Sequence, residues 1–296
     1  MSSKIKVAVL GVGSLGKEHA RIYAELAKNQ SVDFKGVFDV NLDAARKIAA
    51  KYQVTAFKSL DGAASASEAL SVVTPTNTHF ELAKVLLERR KHLLLEKPMT
   101  NNAAEATELV QIAQRNGCVL QVGHIERFNP VFDEAMLARL RHAATGHRHA
   151  SRPFLHFRRY SARDAAATDS ILDLMVHDID LLAWLCAVPT DAPLRVIARK
   201  VGFRSVRARV QLGGLVADLE SGYDVAPPQA RLQVDEAGRE LSLDLRGGGR
   251  RAAPGDDALA QQYQDFARAI RGQRRRIASG ADGLAAVTRA LQVLRA

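Results

Sequence analysis

The stretch from Lys4 to Gly16, KIKVAVLGVGSLG, constrains the fold more than any other part of the chain. Ile5, Val7, Val9 and Leu10 predict a short buried strand, rich in β-branched residues and stopped by a glycine. Gly11, Gly13 and Gly16 then spell G-x-G-x-x-G, and Ser14 to Lys28 has helical character. Gly11 lets the chain turn off the strand, Gly13 leaves room for a pyrophosphate, and Gly16 lets the helix approach the sheet. The helix start, with Ser14 and Leu15, offers free N–H groups and a positive dipole end to phosphate. A second strand, Asp33 to Phe38, ends at Asp39, placed to bind the ribose hydroxyls of an adenine dinucleotide. A carboxylate there repels a 2′-phosphate, so NAD is expected rather than NADP.

Strand and helix patterns keep alternating. A helix is predicted at Leu42 to Lys51, then strands at Thr55 to Phe57 and Glu68 to Thr74. A helix over Asn77 to Arg90 precedes a strand at His92 to Leu95. A helix over Asn102 to Arg115 precedes a strand at Cys118 to Val122. This order implies a doubly wound parallel sheet, a Rossmann domain over 1–123, with ligands at the C-terminal strand ends. Gly11, Asp39, Thr74, Glu96-Lys97 and Gly123-His124 lie at such ends.

After Gly123 the pattern changes. Asn129-Pro130 is expected to open a helix running to about His142. A basic strand follows near His149 to Tyr160, then an apolar helix over Asp169 to Leu185. Val206, Ala208, Val210 and Leu212 alternate with Arg207, Arg209 and Gln211. Similar alternation recurs at Ala230 to Asp235 and at Glu240 to Leu245, around a hairpin tip at Ala237-Gly238. Period-two alternation predicts a mainly antiparallel sheet covered on one face, hence an α+β domain over 124–296. The polar face is either wet or an oligomer interface, and an open sheet favours self-association. Gly247 to Asp257 reads as a loop, and helices at about Ala258 to Arg271 and Gly283 to Leu294 end the pattern.

Composition narrows the function classes. The formal charge of +10 invites nucleic acid, a membrane surface or a small anionic ligand. The arginines are scattered apart from Arg250-Arg251 and the Arg271, Arg274–Arg276 group, and no aromatic residues interleave with them. Solvated surface is the simpler account, so no nucleic-acid partner is expected. No apolar run reaches the ~20 residues of a membrane span, and no signal-peptide pattern opens the chain. Cys118 and Cys186 form no C-x-x-C and read as buried thiols in a reducing cytoplasm. Histidines 142, 147, 149 and 156 lack a carboxylate or cysteine to complete a ligand set, so no metal is expected.

Two motifs carry chemistry. Glu96-Lys97-Pro98 follows the fifth strand, where a nicotinamide ring would lie. Lys97 offers a compact cation that can hydrogen-bond a substrate oxygen, and Pro98 suits a cis bond that aims it. A helix-start turn with surface charges is the alternative. In Asp173 to Asp180, DLMVHDID, the spacing of Asp173, His177 and Asp180 puts them on one helix face. A carboxylate one turn from His177 orients it and stabilises its imidazolium, as suits a general base. A solvated acidic helix end is the alternative. With the dinucleotide motif and Lys97 present, the functional reading is preferred. Thr74, Pro75, Asn77 and His79 would line the path to the nicotinamide. Arg127 would bind the substrate's hydroxyls or phosphate, or brace the domain junction.

The strand–GVGSLG turn, Thr74-Pro75-Thr76-Asn77-Thr78-His79, Glu96-Lys97-Pro98 and Asp173-Leu-Met-Val-His177-Asp together resemble the glucose-fructose oxidoreductase / inositol dehydrogenase / MocA (Gfo/Idh/MocA) family. The resemblance spans nearly the whole chain. It implies an NAD(P)-binding first domain and a second domain that covers the substrate and forms a homodimer or homotetramer. It also implies a catalytic group at Lys97, Asp173 and His177. Gly123-His124-Ile125-Glu126-Arg127-Phe128-Asn129-Pro130 further resembles the UDP-N-acetylglucosamine 3-dehydrogenase branch, implying a cytoplasmic dehydrogenase of a nucleotide sugar in lipid A precursor synthesis. Ala166-Ala167-Thr168 replaces a glycine cluster many relatives carry, and the loop Gly247 to Asp257 is unusually rich in glycine and arginine. Within the family a free-sugar or inositol dehydrogenase, or a non-catalytic dinucleotide-binding regulator, remains an alternative.

Overall fold

The computed structural model describes residues 4–29, 32–145, 153–236, 238–246, 257–273 and 278–296. The chain forms two units, one of residues 1–123 with 253–283 and one of residues 124–252 with 284–296. The single division after residue 123 expected from the sequence is therefore corrected: a late segment goes back to the first unit.

In the first unit, β1 (Ile5–Leu10), α1 (Ser14–Lys28), β2 (Val32–Phe38), α2 (Leu42–Tyr52), β3 (Thr55–Ala56) and α3 (Leu60–Ala66) lead to β4 (Ala69–Val72). Then come α4 (His79–Glu88), β5 (His92–Leu95), α5 (Ala103–Arg115) and β6 (Leu120–Val122). Strand order is β3-β2-β1-β4-β5-β6 with one more strand outside β6. All pairs among the first six are parallel. The order reverses between β1 and β4, which puts the switch point beside the glycine turn. The strands are nearly continuous apolar runs because both sheet faces are covered: Val9, Leu70, Leu93, Leu94 and Leu95 are wholly buried.

The expected helix over Asn77 to Arg90 is shorter. Thr76–Thr78 wind a 3-10 turn first, held by Thr78 Oγ1, which lies 2.7 Å from Thr74 Oγ1 and 2.8 Å from the Pro75 carbonyl. Cys118 is only half-buried, unlike Cys186.

The second unit holds α6 (Glu134–Thr145), β7 (Phe154–Tyr160), α7 (Val176–Leu185), β8 (Leu194–Val201), β9 (Ser205–Leu212), β10 (Leu215–Gly222), β11 (Gln229–Glu236) and β12 (Arg239–Asp244). These strands form one sheet, ordered β12-β11-β7-β10-β9-β8. Only β7 and β10 pair in parallel; the other neighbours are antiparallel. The edge strand β8 had no clear alternation in the sequence, because a bulge between Val196 and Ala198 breaks its period. Gly238 turns the β11–β12 hairpin at φ 78°, while Ala237 lies outside the described residues. The sheet's inner face, with Phe157, Val206, Val210, Leu219 and Leu232, packs on Ile171, Met175 and Ile179 of the helical layer.

Helix boundaries in the second unit also differ from expectation. Asn129-Pro130 does not open a helix: Ile125–Phe128 form a 3-10 turn, and Asn129 Nδ2 donates to the Leu245 carbonyl at 2.7 Å. Helix α6 starts later, where Asp133 Oδ1 accepts from Met136 N–H at 2.7 Å. The helix predicted over Asp169 to Leu185 begins with a π-helical turn at Ile171–Met175, a wide turn common at functional sites.

The late segment comprises α8 (Ala258–Ile270), the short strand β13 (Ala278–Ser279), antiparallel to β6, and the first turn of α9 (Gly280–Arg295), whose remainder belongs to the second unit. Arg21 of α1 holds Asp257 at the head of α8 at 2.9 Å. Residues 247–256 of the predicted loop, His147, His149 and Arg274–Arg276 lie outside the described residues. Among the described residues no helix is long and apolar enough to cross a membrane.

Candidate active site

The glycine turn is built as its sequence demands. Gly11 has φ 87°, and a Cβ there would sit 2.5 Å from the Val73 carbonyl oxygen, so any side chain is excluded twice. Gly16 is close-packed too, but against a different neighbour than expected. A Cβ there would run into the Gly11 carbonyl, with the Val73 side chain 3.8 Å away; the helix packs on its own turn. Gly13 is the opposite case. It is exposed, as are Ser14 and Leu15, and a Cβ on it would meet nothing within 4 Å. That open space at the head of α1, beside free helix N–H groups, fits a pyrophosphate.

Asp39 stands half-buried at the end of β2. Its Oδ2 accepts from Val12 N–H and its Oδ1 from Asn41 N–H, both at 2.8 Å. The carboxylate is thus tied to the glycine turn itself. Backbone bonds to a charged acceptor are worth about 1.5–3 kcal/mol each, so the group is held in place before any ribose arrives.

Around the ends of β4 and β5, Thr74 is half-buried and Pro75 and Asn77 are exposed. His79 is 1% exposed. Its Nδ1 lies 3.1 Å from the Pro98 carbonyl and its Nε2 2.9 Å from the Thr74 carbonyl. The ring therefore ties the Thr74 loop to the Pro98 turn instead of facing outward. Burial lowers its pKa against the pull of those carbonyls and of Glu96. The Lys97–Pro98 bond is cis, and Lys97 is half-buried. Glu96, expected at the cofactor, turns inward: its Oε1 lies 3.3 Å from His19 Nε2 and its Oε2 accepts from Lys97 N–H at 3.3 Å.

In the second unit Asp173 and His177 are half-buried, one at the π turn and one in the first turn of α7. Asp173 Oδ2 accepts from Tyr223 O–H at 3.0 Å and is paired with Arg163. His177 packs edge-on against His124, ring centroids 6.4 Å apart, and its Nδ1 is shut from solvent. Asp180 is committed elsewhere: Arg127 grips it with Nε at 2.9 Å and Nη2 at 2.6 Å. Arg127 is 4% exposed, and its guanidinium pins the 125–128 turn to α7 within the second unit. A second arginine repeats the device. Arg159 of β7 donates to Asp178 at 2.8 and 3.0 Å and to Glu126 at 2.7 Å. Burial pushes Asp178 up to about 6, against the pull of Arg159.

Sequence reasoning singled out Lys97, Asp173 and His177 and placed His124 at a strand end, but missed His19, Arg159 and Tyr223. Only His19 lies next to a motif, the glycine turn, and the partners of all three are distant in the chain. Lys97 belongs to the first unit and Asp173 and His177 to the second.

Residues 5–124 match the Gfo/Idh/MocA model, described as an oxidoreductase family with an NAD-binding Rossmann fold. Along 98% of its length the chain is 33% identical to 96% of the UDP-N-acetylglucosamine 3-dehydrogenase of Acidithiobacillus ferrooxidans. The chain belongs to the Gfo/Idh/MocA oxidoreductase family. The solved structure of that A. ferrooxidans dehydrogenase superposes with TM-score 0.79 at 31% identity, covering 98% of this chain and 96% of that one. An inositol 2-dehydrogenase of Acidothermus cellulolyticus is 27% identical over 69% of this chain and 59% of its own. The scyllo-inositol dehydrogenase of Lactobacillus casei, solved with NAD(H) and scyllo-inositol, shares the fold with TM-score 0.78 at 18% identity, over 99% of this chain and 96% of that one. As a member of this Gfo/Idh/MocA family the chain is a dehydrogenase acting on CH–OH groups, and its glycine turn and Asp39 fit the family's dinucleotide.

Proposed function

We propose that the chain is an NAD-dependent dehydrogenase of a nucleotide sugar, of the UDP-N-acetylglucosamine 3-dehydrogenase type. One observation carries this reading: the full-length similarity to the A. ferrooxidans enzyme, in sequence and in fold. NAD is preferred over NADP because the Asp39 carboxylate, held by Val12 and Asn41, repels a 2′-phosphate.

Gly11, Gly13, Ser14, Leu15 and Gly16 would admit the pyrophosphate, with Asp39 on the ribose and Thr74, Pro75 and Asn77 along the path to the nicotinamide. When bound, the dinucleotide supplies the acceptor for the hydride that leaves the carbinol carbon. His177 is proposed to take the hydroxyl proton at Nε2, since Nδ1 is buried. Lys97 donates a hydrogen bond to the same oxygen and stabilises the developing alkoxide. Asp173, itself held by Tyr223 and Arg163, orients the substrate. Arg127 acts through Asp180 by holding α7.

The outer face of the second unit's sheet supports self-association. Arg207 and Arg158 reach Glu220 at 2.8 and 3.3 Å, and Arg209 reaches Asp218 at 2.7 Å. Glu220 is nevertheless only 4% exposed, and Phe203 stands 87% exposed at the β8–β9 connection. A homo-oligomer in the cytoplasm is the proposed state.

The test is NAD reduction followed by near-ultraviolet absorbance, with UDP-N-acetylglucosamine compared with myo-inositol and glucose. Turnover confined to the nucleotide sugar is expected. Reduction with myo-inositol alone would reassign the substrate, and none with any sugar would leave a dinucleotide-binding regulator.

A further inference from the structure

Helix α8, in the segment that goes back to the first unit, brings a polar layer rather than an apolar one. Tyr263 is hydrogen-bonded to His19 Nδ1, with the rings T-shaped and their centroids 5.3 Å apart. His19 Nε2 faces Glu96 Oε1 at 3.3 Å. On the other side Ser71 Oγ lies 3.4 Å from the Tyr263 hydroxyl and 2.9 Å from that of Tyr23. His19 and Ser71 are wholly buried, Tyr23 and Tyr263 are 1% exposed, and Glu96 is 7% exposed. Ser71, Leu94 and Gln121 are in register across β4, β5 and β6, so Ser71 and Gln121 share a sheet face. The buried amides of Gln121 and Gln262 find no hydrogen-bond partner among the described residues. Unmet buried polar groups cost about 1–3 kcal/mol each. Leucines would hold α8 at lower cost, so packing alone does not account for this layer.

Glu96 stands at the end of this chain of polar contacts. Burial pushes its carboxyl up, but the contact with His19 and the charge of Lys97 outweigh this and hold it below the usual range. A carboxylate only accepts, so the edge of His19 that faces Glu96 can only offer it a hydrogen, while Nδ1 is bound to the Tyr263 hydroxyl. Burial holds the Tyr263 hydroxyl far above its ordinary range, so it keeps the proton it donates. Ser71 then donates to Tyr263, and Tyr23 to Ser71. Glu96 is fixed on its remaining side as well, because a Cβ on Gly123 would collide with its carboxyl group. Among the described residues Lys97 and His79 also carry charge or titrate beside Glu96.

We propose that Tyr263 and His19 are positioning residues that lock the Glu96 carboxylate beside the Lys97 turn, setting where the Lys97 amine sits and how strongly it holds its proton. The proposal rests on Lys97 being the amine of the reaction above. Its test does not need turnover. The full chain is trace-labelled with acetic anhydride across pH, and acetylation of Lys97 is read by peptide mass spectrometry.

A nearby anion raises an amine's pKa, so loosening Glu96 lets Lys97 lose its proton earlier. Tyr263→Phe is expected to lower the labelling midpoint by about half a unit, or about 3-fold more labelling at a fixed pH below it. His19→Leu is expected to lower it by about one unit, and His19→Gln, which keeps a donor and an acceptor, to move it back towards wild type. With a sugar substrate, the basic limb of kcat/KM should move to lower pH in step, with KM for NAD unchanged. Labelling curves of folded Tyr263→Phe and His19→Leu that superimpose on wild type overturn the proposal, as does His19→Gln shifted as far as His19→Leu. If His19→Leu does not fold, Tyr263→Phe, which removes one oxygen atom, decides alone. A chain that shows these shifts yet reduces no NAD with any sugar refutes the proposed activity and leaves the positioning role standing.

Discussion

Replacing Gly13 by alanine should separate dinucleotide binding from folding. Gly13 has φ −63°, a value open to alanine, and the new methyl meets nothing within 4 Å. Gly13 is also the N-cap of α1. Alanine is the poorer cap, but it lowers the entropy of the unfolded chain, and the two effects are of similar size, about 0.5–1 kcal/mol. Stability should therefore change by no more than about 0.5 kcal/mol, a Tm shift of about 2 °C or less. Binding is different. The methyl occupies the space in which the pyrophosphate must approach the helix N–H groups. Losing one charge-assisted bond costs about 1.5–3 kcal/mol, which weakens NADH binding roughly 10- to 150-fold.

Gly11→Ala serves as the contrast. At φ 87°, with the Val73 oxygen 2.5 Å from the added carbon, it pays about 1–3 kcal/mol of backbone strain before any clash is relieved. Its Tm should fall by about 2–4 °C per kcal/mol. NADH fluorescence titration and thermal melts on both variants make the comparison. Wild-type affinity in Gly13→Ala, or a Tm loss matching that of Gly11→Ala, would refute the reasoning.

Other consequences follow from the same geometry. His177→Ala should slow hydride transfer by about 10²–10⁴-fold in single-turnover measurements, and an unchanged rate removes it from the role of base. Asp39→Ser should weaken NAD and improve NADP in paired titrations; an unaltered preference would place cofactor choice elsewhere. Arg127→Met leaves the Asp180 carboxylate buried without its bidentate partner, so unfolding should become easier by about 3–5 kcal/mol, with the dinucleotide affinity retained. Asp178 holds its proton more tightly folded, at about 6, than its ordinary 3.8. Its contribution to stability therefore falls as pH rises between those values, by about 3 kcal/mol in total. The unfolding free energy of wild type minus that of Asp178→Asn should decline from pH 4 to pH 6; a difference that rises or stays flat contradicts the assignment.

Local chemistry was enough to read the nucleotide-binding half. The glycine turn, the strand that feeds it and Asp39 are short-range features, because a tight turn and a helix start depend on a few consecutive residues. The alternation of Val206 to Leu212 and of Ala230 to Val234 likewise announced a one-sided sheet, since side chains on a strand flip faces at every residue. The π turn ahead of α7 and the bulge in β8 escaped notice, because each departs from the very periodicity used to find helices and strands.

Contacts between distant segments were beyond any such pattern. Tyr263 reaches His19 across 244 positions, and Arg127 finds Asp180 across 53. Nothing near His19 in the chain marks it as buried beside Glu96, and nothing near Arg127 points to Asp180 as its partner. A charged or polar group can be buried only where the fold delivers its partner, so its role becomes visible when the partners are side by side. That is why the motif residues could be named from the amino-acid order, while the groups that hold them, and the destination of the segment carrying α8, came from the packed molecule.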